Sequence, residues 1–251
     1  MIRLDGARAV VTGGSRGIGA AVARMLGACG ADVVIGYRSR VADAERVAAD
    51  VRAAGRRAEA VGADLSTLDG ARGLIARTVE TLGGVDILVV NAGVWPSEDV
   101  PVAELDDERW RRTMAENVDS VFYLSRAAAR VMGDGGRIVM ISSTAGQRGE
   151  AMHADYAASK GAMISFVKSL AVELAPRGIT VNSVAPGWVD TEMTADAMSA
   201  GGRDRIARTI PVGRVATADD IAFPVVCLCA PGARHVTGEI LNVNGGSVLC
   251  G

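Results

Sequence analysis

Histidine, cysteine, lysine and aromatic residues are all scarce in this chain. Its 251 residues include two histidines, His153 and His235, and four cysteines, Cys29, Cys227, Cys229 and Cys250. Cys227-Leu228-Cys229 is too closely spaced for a zinc knuckle, and no second Cys/His cluster supports a metal site. That pair reads instead as small apolar residues of a buried helix. Scattered cysteines in a chain large enough to build its own core predict reduced thiols rather than a disulfide framework. Aromatic residues make up only 4%, which argues against stacking platforms for single-stranded nucleic acid. A net charge of -2 supplies no basic field for nucleic acid or an anionic membrane. No apolar run reaches the ~18 residues of a membrane helix. The start Met1-Ile2-Arg3-Leu4-Asp5-Gly6 lacks a signal-peptide layout, so the expected location is cytoplasmic. Lysine occurs only at Lys160 and Lys168 among many arginines, so each lysine invites a question about its purpose.

What the chain does have is a globular balance, 49% hydrophobic and 22% charged. Short apolar runs centred on Ala9–Val11, Asp32–Ile35, Ala58–Val61, Ile87–Val90, Ile138–Ile141, Val181–Val184 and Ile240–Val243 read as strands. Most are continuous rather than alternating, as strands covered on both faces should be. Between them the period is helical, over roughly 18–29, 41–54, 67–82, 104–132, 156–175 and 217–229. Strands alternating with helices predict right-handed crossovers and one seven-stranded, parallel, doubly wound α/β sheet with helices on both faces. No repeat or linker divides residues 1–251, so one domain is expected. The least regular stretch, about 191–213, is the candidate for a lid over a site.

The first strand runs into Thr12-Gly13-Gly14-Ser15-Arg16-Gly17-Ile18-Gly19. Glycine at 13, 17 and 19 suits a tight turn, close approach of a pyrophosphate, and a helix start with free N–H groups. The second strand ends in Gly36-Tyr37-Arg38-Ser39-Arg40 without the Asp or Glu that would accept bonds from a ribose. Arg38, with Arg16 and Ser39 beside it, instead favours the 2′-phosphate of NADP(H) over NAD(H). After the third strand, Asp64 and Leu65 stand where an adenine would lie. Asp64 equally suits a cap of the next helix, in competition with Ser66 and Thr67. The fourth strand ends in Asn91-Ala92-Gly93, small enough to admit a cofactor, with Asn91 able to tie neighbouring strands together.

Ser142-Ser143 ends the fifth strand and is followed by Tyr156-Ala157-Ala158-Ser159-Lys160, in which tyrosine and lysine share one helical face. Together with Asn117 and Pro186-Gly187-Trp188-Val189-Asp190-Thr191, these motifs fall in an order that resembles the short-chain dehydrogenase/reductase family along essentially the whole chain. The resemblance implies a Rossmann fold and hydride transfer between nicotinamide and a carbonyl or secondary alcohol. It implies Tyr156 as the proton donor or acceptor and Lys160 as the group holding the nicotinamide ribose. An ammonium and the nicotinamide charge would also lower the Tyr156 phenol from its ordinary value near ~10. Ser143 would orient the substrate oxygen, and Asn117 would bind a water in a proton relay behind Lys160. Pro186, Gly187, Val189 and Thr191 would wrap the nicotinamide end, while Trp95, Met152, His153 and Trp188 would line the substrate side.

Within the family the ending Thr237–Gly246 is similar to 3-oxoacyl-[acyl-carrier-protein] reductases, which implies a homotetramer packed through the helices at 104–132 and 156–175. Met132-Gly133-Asp134-Gly135-Gly136 departs from the pattern, because carrier-protein reductases place basic residues there. Arg126, Arg130 and Arg177 are the candidates to compensate. An acyl carrier protein as partner therefore stands beside a free small ketone, sugar, polyol or secondary metabolite as substrate. A non-catalytic cofactor-binding sensor on the same fold is the reading from another class, and retention of Asn117, Ser143, Tyr156 and Lys160 opposes it.

Overall fold

The structure is a computed structural model that describes residues 2–249; Met1, Cys250 and Gly251 lie outside the described residues, and so does the expectation of a free Cys250. The strands are β1 (Arg8–Thr12), β2 (Asp32–Tyr37), β3 (Ala58–Gly62), β4 (Ile87–Val90), β5 (Arg137–Ile141), β6 (Thr180–Pro186) and β7 (Ile240–Val243). The helices are α1 (Gly17–Ala28), α2 (Val41–Ala53), α3 (Leu68–Leu82), α4 (Asp107–Met114), α5 (Ser120–Val131), α6 (Thr144–Arg148), α7 (Ala154–Leu174), α8 (Ala195–Met198), α9 (Gly202–Thr209) and α10 (Ala218–Cys229). All strand pairs are parallel, in the order β3-β2-β1-β4-β5-β6-β7. This is the doubly wound sheet expected from the alternation of short apolar runs and helical segments.

The continuous apolar strands divide their side chains between two cores. Val11, Ile35, Val89 and Val139 face α1, α2 and α10, packing with Val22, Leu26, Val47 and Ile221. Val10, Val34, Leu88, Ile138 and Met140 face α3, α5 and α7, packing with Leu74, Leu124, Met163 and Val167. A strand with water on neither side can be apolar at every position, which is why the period-two alternation is missing from the sequence. Cys229 belongs to the first of these cores, and burial pushes its thiol up to about 12. It behaves as the apolar residue the sequence implies.

The sheet reverses its winding between β1 and β4, which are paired at Val10–Leu88 and Val11–Val89. Crossovers leave these two strands toward opposite edges, so a crevice opens above their C-terminal ends. Three departures from the sequence reading lie around that crevice. The segment 104–132 starts only at Asp107, where the Asp106 carboxylate accepts from the Arg109 N–H at 2.7 Å. It is then interrupted by a π turn at Ala115–Asp119, which carries Asn117. The short helix α6, capped by Ser143 through the Ala145 N–H at 3.1 Å, has no counterpart in the sequence reading. The irregular stretch at 191–213 contains α8 and α9.

The first turn tolerates no side chain at Gly19, where a Cβ would sit 2.4 Å from the Gly13 carbonyl oxygen and 2.5 Å from Asn91 Nδ2. Gly19→Ala should therefore cost about 2 kcal/mol through overpacking. Thermal unfolding should show a midpoint several degrees lower, whereas Gly133→Ala, with nothing within 4 Å of its added carbon, should leave it unchanged.

Candidate active site

The crevice floor is built by backbone groups tied across β1 and β4. The Thr12 hydroxyl accepts from the N–H groups of Asn91 and Ala92, both at 3.0 Å. Asn91 Nδ2 donates back to the carbonyls of Thr12 and Gly13 at 3.0 and 3.2 Å. Asn91 thus ties the strands as its position implied. Gly13 takes a φ of +62° and Gly17 one of +52°, a backbone region that favours glycine. At the start of α1, Arg16 makes no side-chain cap and the first turn holds no acid. The helix's first N–H groups and positive dipole end therefore open into the crevice with no carboxylate of their own turn against them.

One end of the crevice is lined by Gly13, Ser15, Arg16, Gly17 and Ile18 of the turn and by Tyr37, Arg38 and Ser39 at the end of β2. Asp64, Leu65, Asn91, Ala92, Gly93 and Thr191 complete the same walls. Arg40, two residues after Arg38, joins them. Arg16 and Arg40 both pair with Glu192, at 2.5 and 2.8 Å, and Arg38 pairs with Glu116 at 2.8 Å. Asp64 accepts from the Ser66 hydroxyl at 2.7 Å and its N–H at 3.1 Å. The Ser66 bonds, with Arg38 nearby, hold the Asp64 carboxyl below its ordinary value against the effect of burial. The cap of α3 is Thr67, so Asp64 remains a wall residue.

At the other end the walls are Ser143, Tyr156, Lys160, Pro186, Gly187, Val189 and Thr191, with Trp95 and Trp188. Ser143 leaves β5 and caps α6, and its hydroxyl lies near enough to the Tyr156 phenol to favour the phenolate. Lys160 lies one turn along α7; its Nζ donates to the Ile141 carbonyl at 2.9 Å and stands 5.8 Å from the Tyr156 ring centroid. Asn117 is wholly buried behind them. Its Nδ2 donates to Ser159 Oγ at 3.0 Å and to the Val94 carbonyl at 2.9 Å, while its Oδ1 accepts from the Val94 N–H at 2.8 Å. Gly93 makes this possible, since a Cβ there would lie 2.8 Å from Asn117 Oδ1 and 3.5 Å from Lys160 Nζ.

Burial governs the protonation of both reactive groups. Loss of solvent pushes the Tyr156 phenol up to about 12; the Ser143 hydroxyl opposes this and the Glu150 charge reinforces it. The expected lowering by Lys160 is thus reversed in the protein by itself, because desolvation outweighs an ammonium turned toward a carbonyl. Burial also pushes the Lys160 ammonium down to about 8. The pair presents a phenol that keeps its proton and a cation that stays charged at neutral pH.

Two expected substrate-side residues take other positions. Met152 adopts a φ of +66° and is 47% exposed. His153 is buried and stacks on Trp95 at 5.1 Å, so it supports that indole from outside the crevice wall. Glu150 does line the wall, and no spacing in the sequence singled it out. Asp155, the residue before Tyr156, was missed for the same reason. It is fully buried and accepts from Arg109 Nε at 3.1 Å and the Thr113 hydroxyl at 2.8 Å, fastening α7 to α4. Burial would raise its carboxyl, but Arg109, Thr113 and the Tyr156 N–H together hold it low.

A family model described as Enoyl-(Acyl carrier protein) reductase matches residues 13–247. The chain is 41% identical over 252 residues to the 3-oxoacyl-[acyl-carrier-protein] reductase of Escherichia coli, covering 99% of this chain and 100% of that protein. It is 39% identical over 244 residues to an L-rhamnose 1-dehydrogenase (NAD(P)(+)) of Azotobacter vinelandii, covering 94% of each. Among solved structures, a short chain dehydrogenase of Burkholderia cenocepacia in complex with NADP superposes with a TM-score of 0.93. It is 42% identical, and the match covers 98% of this chain and 99% of that one.

Asp155→Asn should leave the buried Arg109 guanidinium without its counter-charge and cost about 3 kcal/mol. Because the folded carboxyl lies below its unfolded value, the wild-type advantage should be complete above the ordinary carboxylate range. It should shrink as the pH falls through the lowered folded value. Chemical denaturation of both proteins across that range checks the magnitude and its sign.

Proposed function

The chain belongs to the short-chain dehydrogenase/reductase family of oxidoreductases, and we propose that it reduces a free ketone, or oxidises the matching secondary alcohol, with NADP(H). The observation that carries this reading is the convergence of Ser143, Tyr156 and Lys160 on one end of a crevice whose other end is made of glycine turns and arginines. The cradle fits a dinucleotide. Glycines bring backbone close to the open start of α1, where a pyrophosphate gains N–H donors and a favourable dipole. Residues 36–40 offer no acid to a ribose, whereas Arg16, Arg38 and Arg40 offer three cations to a 2′-phosphate. Glu192 already holds Arg16 and Arg40 and Glu116 holds Arg38, and a phosphate would compete for these cations.

The nicotinamide, when bound, supplies or takes the hydride. The rest falls to side chains. Ser143 donates to the carbonyl oxygen and fixes its direction. Tyr156 delivers its proton to that oxygen as negative charge develops, a task suited to a phenol that holds its proton at neutral pH. Lys160 holds the ribose hydroxyls and lends positive charge to the phenolate left behind. Asn117, buried beside Lys160, belongs to the path by which water restores the proton. Pro186, Gly187, Val189 and Thr191 hold the nicotinamide end, and the segment 191–213 serves as the lid.

A free substrate is favoured over one delivered by an acyl carrier protein. Arg177, expected to meet an acidic carrier, donates to the carbonyls of Ala129 and Met132 and lies 3.6 Å from Asp134. Arg126 stacks over Phe122 at 4.5 Å. Only Arg130 of the three remains unengaged in these ways, and Asp134 would repel an acidic partner. The homotetramer is part of the same proposal, supported by apolar surface at Phe122 on α5 and Val172 on α7. Among the described residues no helix is long and apolar enough to cross a membrane.

Tyr156→Phe should lower kcat for ketone reduction by about a hundredfold or more, while NADPH still binds with near-normal affinity. Stopped-flow and fluorescence titration separate the two quantities, and near-normal turnover would refute the assignment. Arg38→Asp should weaken NADPH by about tenfold more than NADH, since it replaces a phosphate partner with a repelling charge. Equal losses in the two titrations would count against the 2′-phosphate site.

A further inference from the structure

The substrate end of the crevice has a wall whose chemistry the hydride reaction does not need. Trp95 and Trp188, both half-buried, meet edge to face with centroids 5.8 Å apart. His153 stacks behind Trp95 and is itself 4% exposed, so the indole is held from its far side. Glu150 lines the same space as Ser143, Tyr156 and Trp95; burial raises its carboxyl, and the nearby Trp95 indole opposes this. Among the described residues it forms no ion pair.

An ionised carboxylate offers about four acceptor sites. Even with the indole N–H turned to one of them, acceptor sites remain for a ligand. A half-buried carboxylate beside a reacting carbonyl is costly for a plain alkyl substrate, which covers it without satisfying it. Its charge disfavours an anionic substrate, and the guanidinium of Arg148, which lines the same space, disfavours a cation. Hydroxyl groups are neutral donors that fill the remaining acceptor sites. The flat indole beside them suits the C–H face of a saturated ring.

We propose that Glu150 and Trp95 form a specificity subsite that reads hydroxyl groups, and that the substrate is a compact polyhydroxylated carbonyl compound or its alcohol. This rests on the oxidoreductase reading of the same crevice. Glu150 is a substrate-selecting residue and takes no part in proton delivery. Its carboxylate accepts from one hydroxyl or a vicinal pair, while Trp95 covers the adjoining ring carbons. Long unbranched acyl chains satisfy neither group.

The test compares cyclohexanone with its ring-hydroxylated and ring-aminated derivatives, using NADPH and the wild-type, Glu150→Ala and Glu150→Gln proteins. The readout is the ratio of kcat/KM for each derivative to that for cyclohexanone. In the wild type at least one hydroxyketone should be preferred over the parent by about tenfold, and Glu150→Ala should abolish that preference. Glu150→Gln, which keeps an acceptor and can still meet the indole, should restore part of it; a loss common to both variants and to every ketone would mean a structural role and overturn the proposal. An unchanged ratio in Glu150→Ala, or an aminoketone preferred over every hydroxyketone, would also overturn it. A second measurement needs no turnover: tryptophan fluorescence of the NADP-loaded protein titrated with cyclohexanediols and with cyclohexanol. Tighter binding of a diol, lost in Glu150→Ala, supports the subsite even if no ketone is reduced, in which case the oxidoreductase reading alone fails. Equal affinity for diol and mono-alcohol sinks the subsite.

Discussion

A buried ammonium sets the terms for this site. Lys160 sits within the α7 face that packs on the sheet, almost without solvent, and its Nζ has the Ile141 carbonyl as partner. A cation in that position is stable only where oxygen acceptors have been arranged for it, and burial already brings its pKa down to about 8. The end of β5, the start of α7 and the small residues around Gly93 are all arranged about this group. Because the lysine is fixed, the tyrosine one turn earlier is fixed as well. Ser143 then meets that phenol from the strand side.

The backbone near this pair is crowded by design. A Cβ on Gly146 would fall 2.5 Å from the Lys160 carbonyl carbon, so α6 rests directly on the main chain of α7. The π turn carries Asn117 into contact with Ser159, next to Lys160 in sequence. Asp155, next to Tyr156 on the other side, is locked to Arg109 and Thr113. Contacts from α6 and from α4 with its π turn therefore hold one turn of helix. Such bracing suits a reaction in which proton donor and hydride acceptor must stay within a narrow range of positions. Glycine is the means of access at both ends of the crevice, at Gly13 and Gly17 for the turn and at Gly93 for the lysine.

Much of this was readable from residues alone because the relevant signals are local. Seven apolar runs separated by helical periods specify a parallel sheet, and a glycine-rich turn after the first run specifies where its crevice opens. Tyr156 and Lys160 announce themselves by spacing and by the rarity of lysine. The π turn was not readable, since one extra residue in a turn leaves the apolar period of a long amphipathic segment almost intact. Neither was α6, whose five residues are too few to carry a period. Glu150 and Asp155 were invisible for another reason. A single carboxylate looks the same in sequence whether it meets water, an indole or a buried guanidinium.

By itself, then, the sequence determined the alternation of strands and helices and the dinucleotide-type turn, and its resemblance to a family singled out the phenol, ammonium and hydroxyl. The alternation and the turn follow from backbone preference and side-chain type, which are properties of neighbouring residues. Tertiary structure alone decided that burial raises the Tyr156 phenol in the protein by itself. It also decided that His153 supports Trp95 from behind, and that Glu150 faces the space where a substrate would lie. Desolvation and contact depend on which distant segments fold over a group, and nothing within a few residues of it records that.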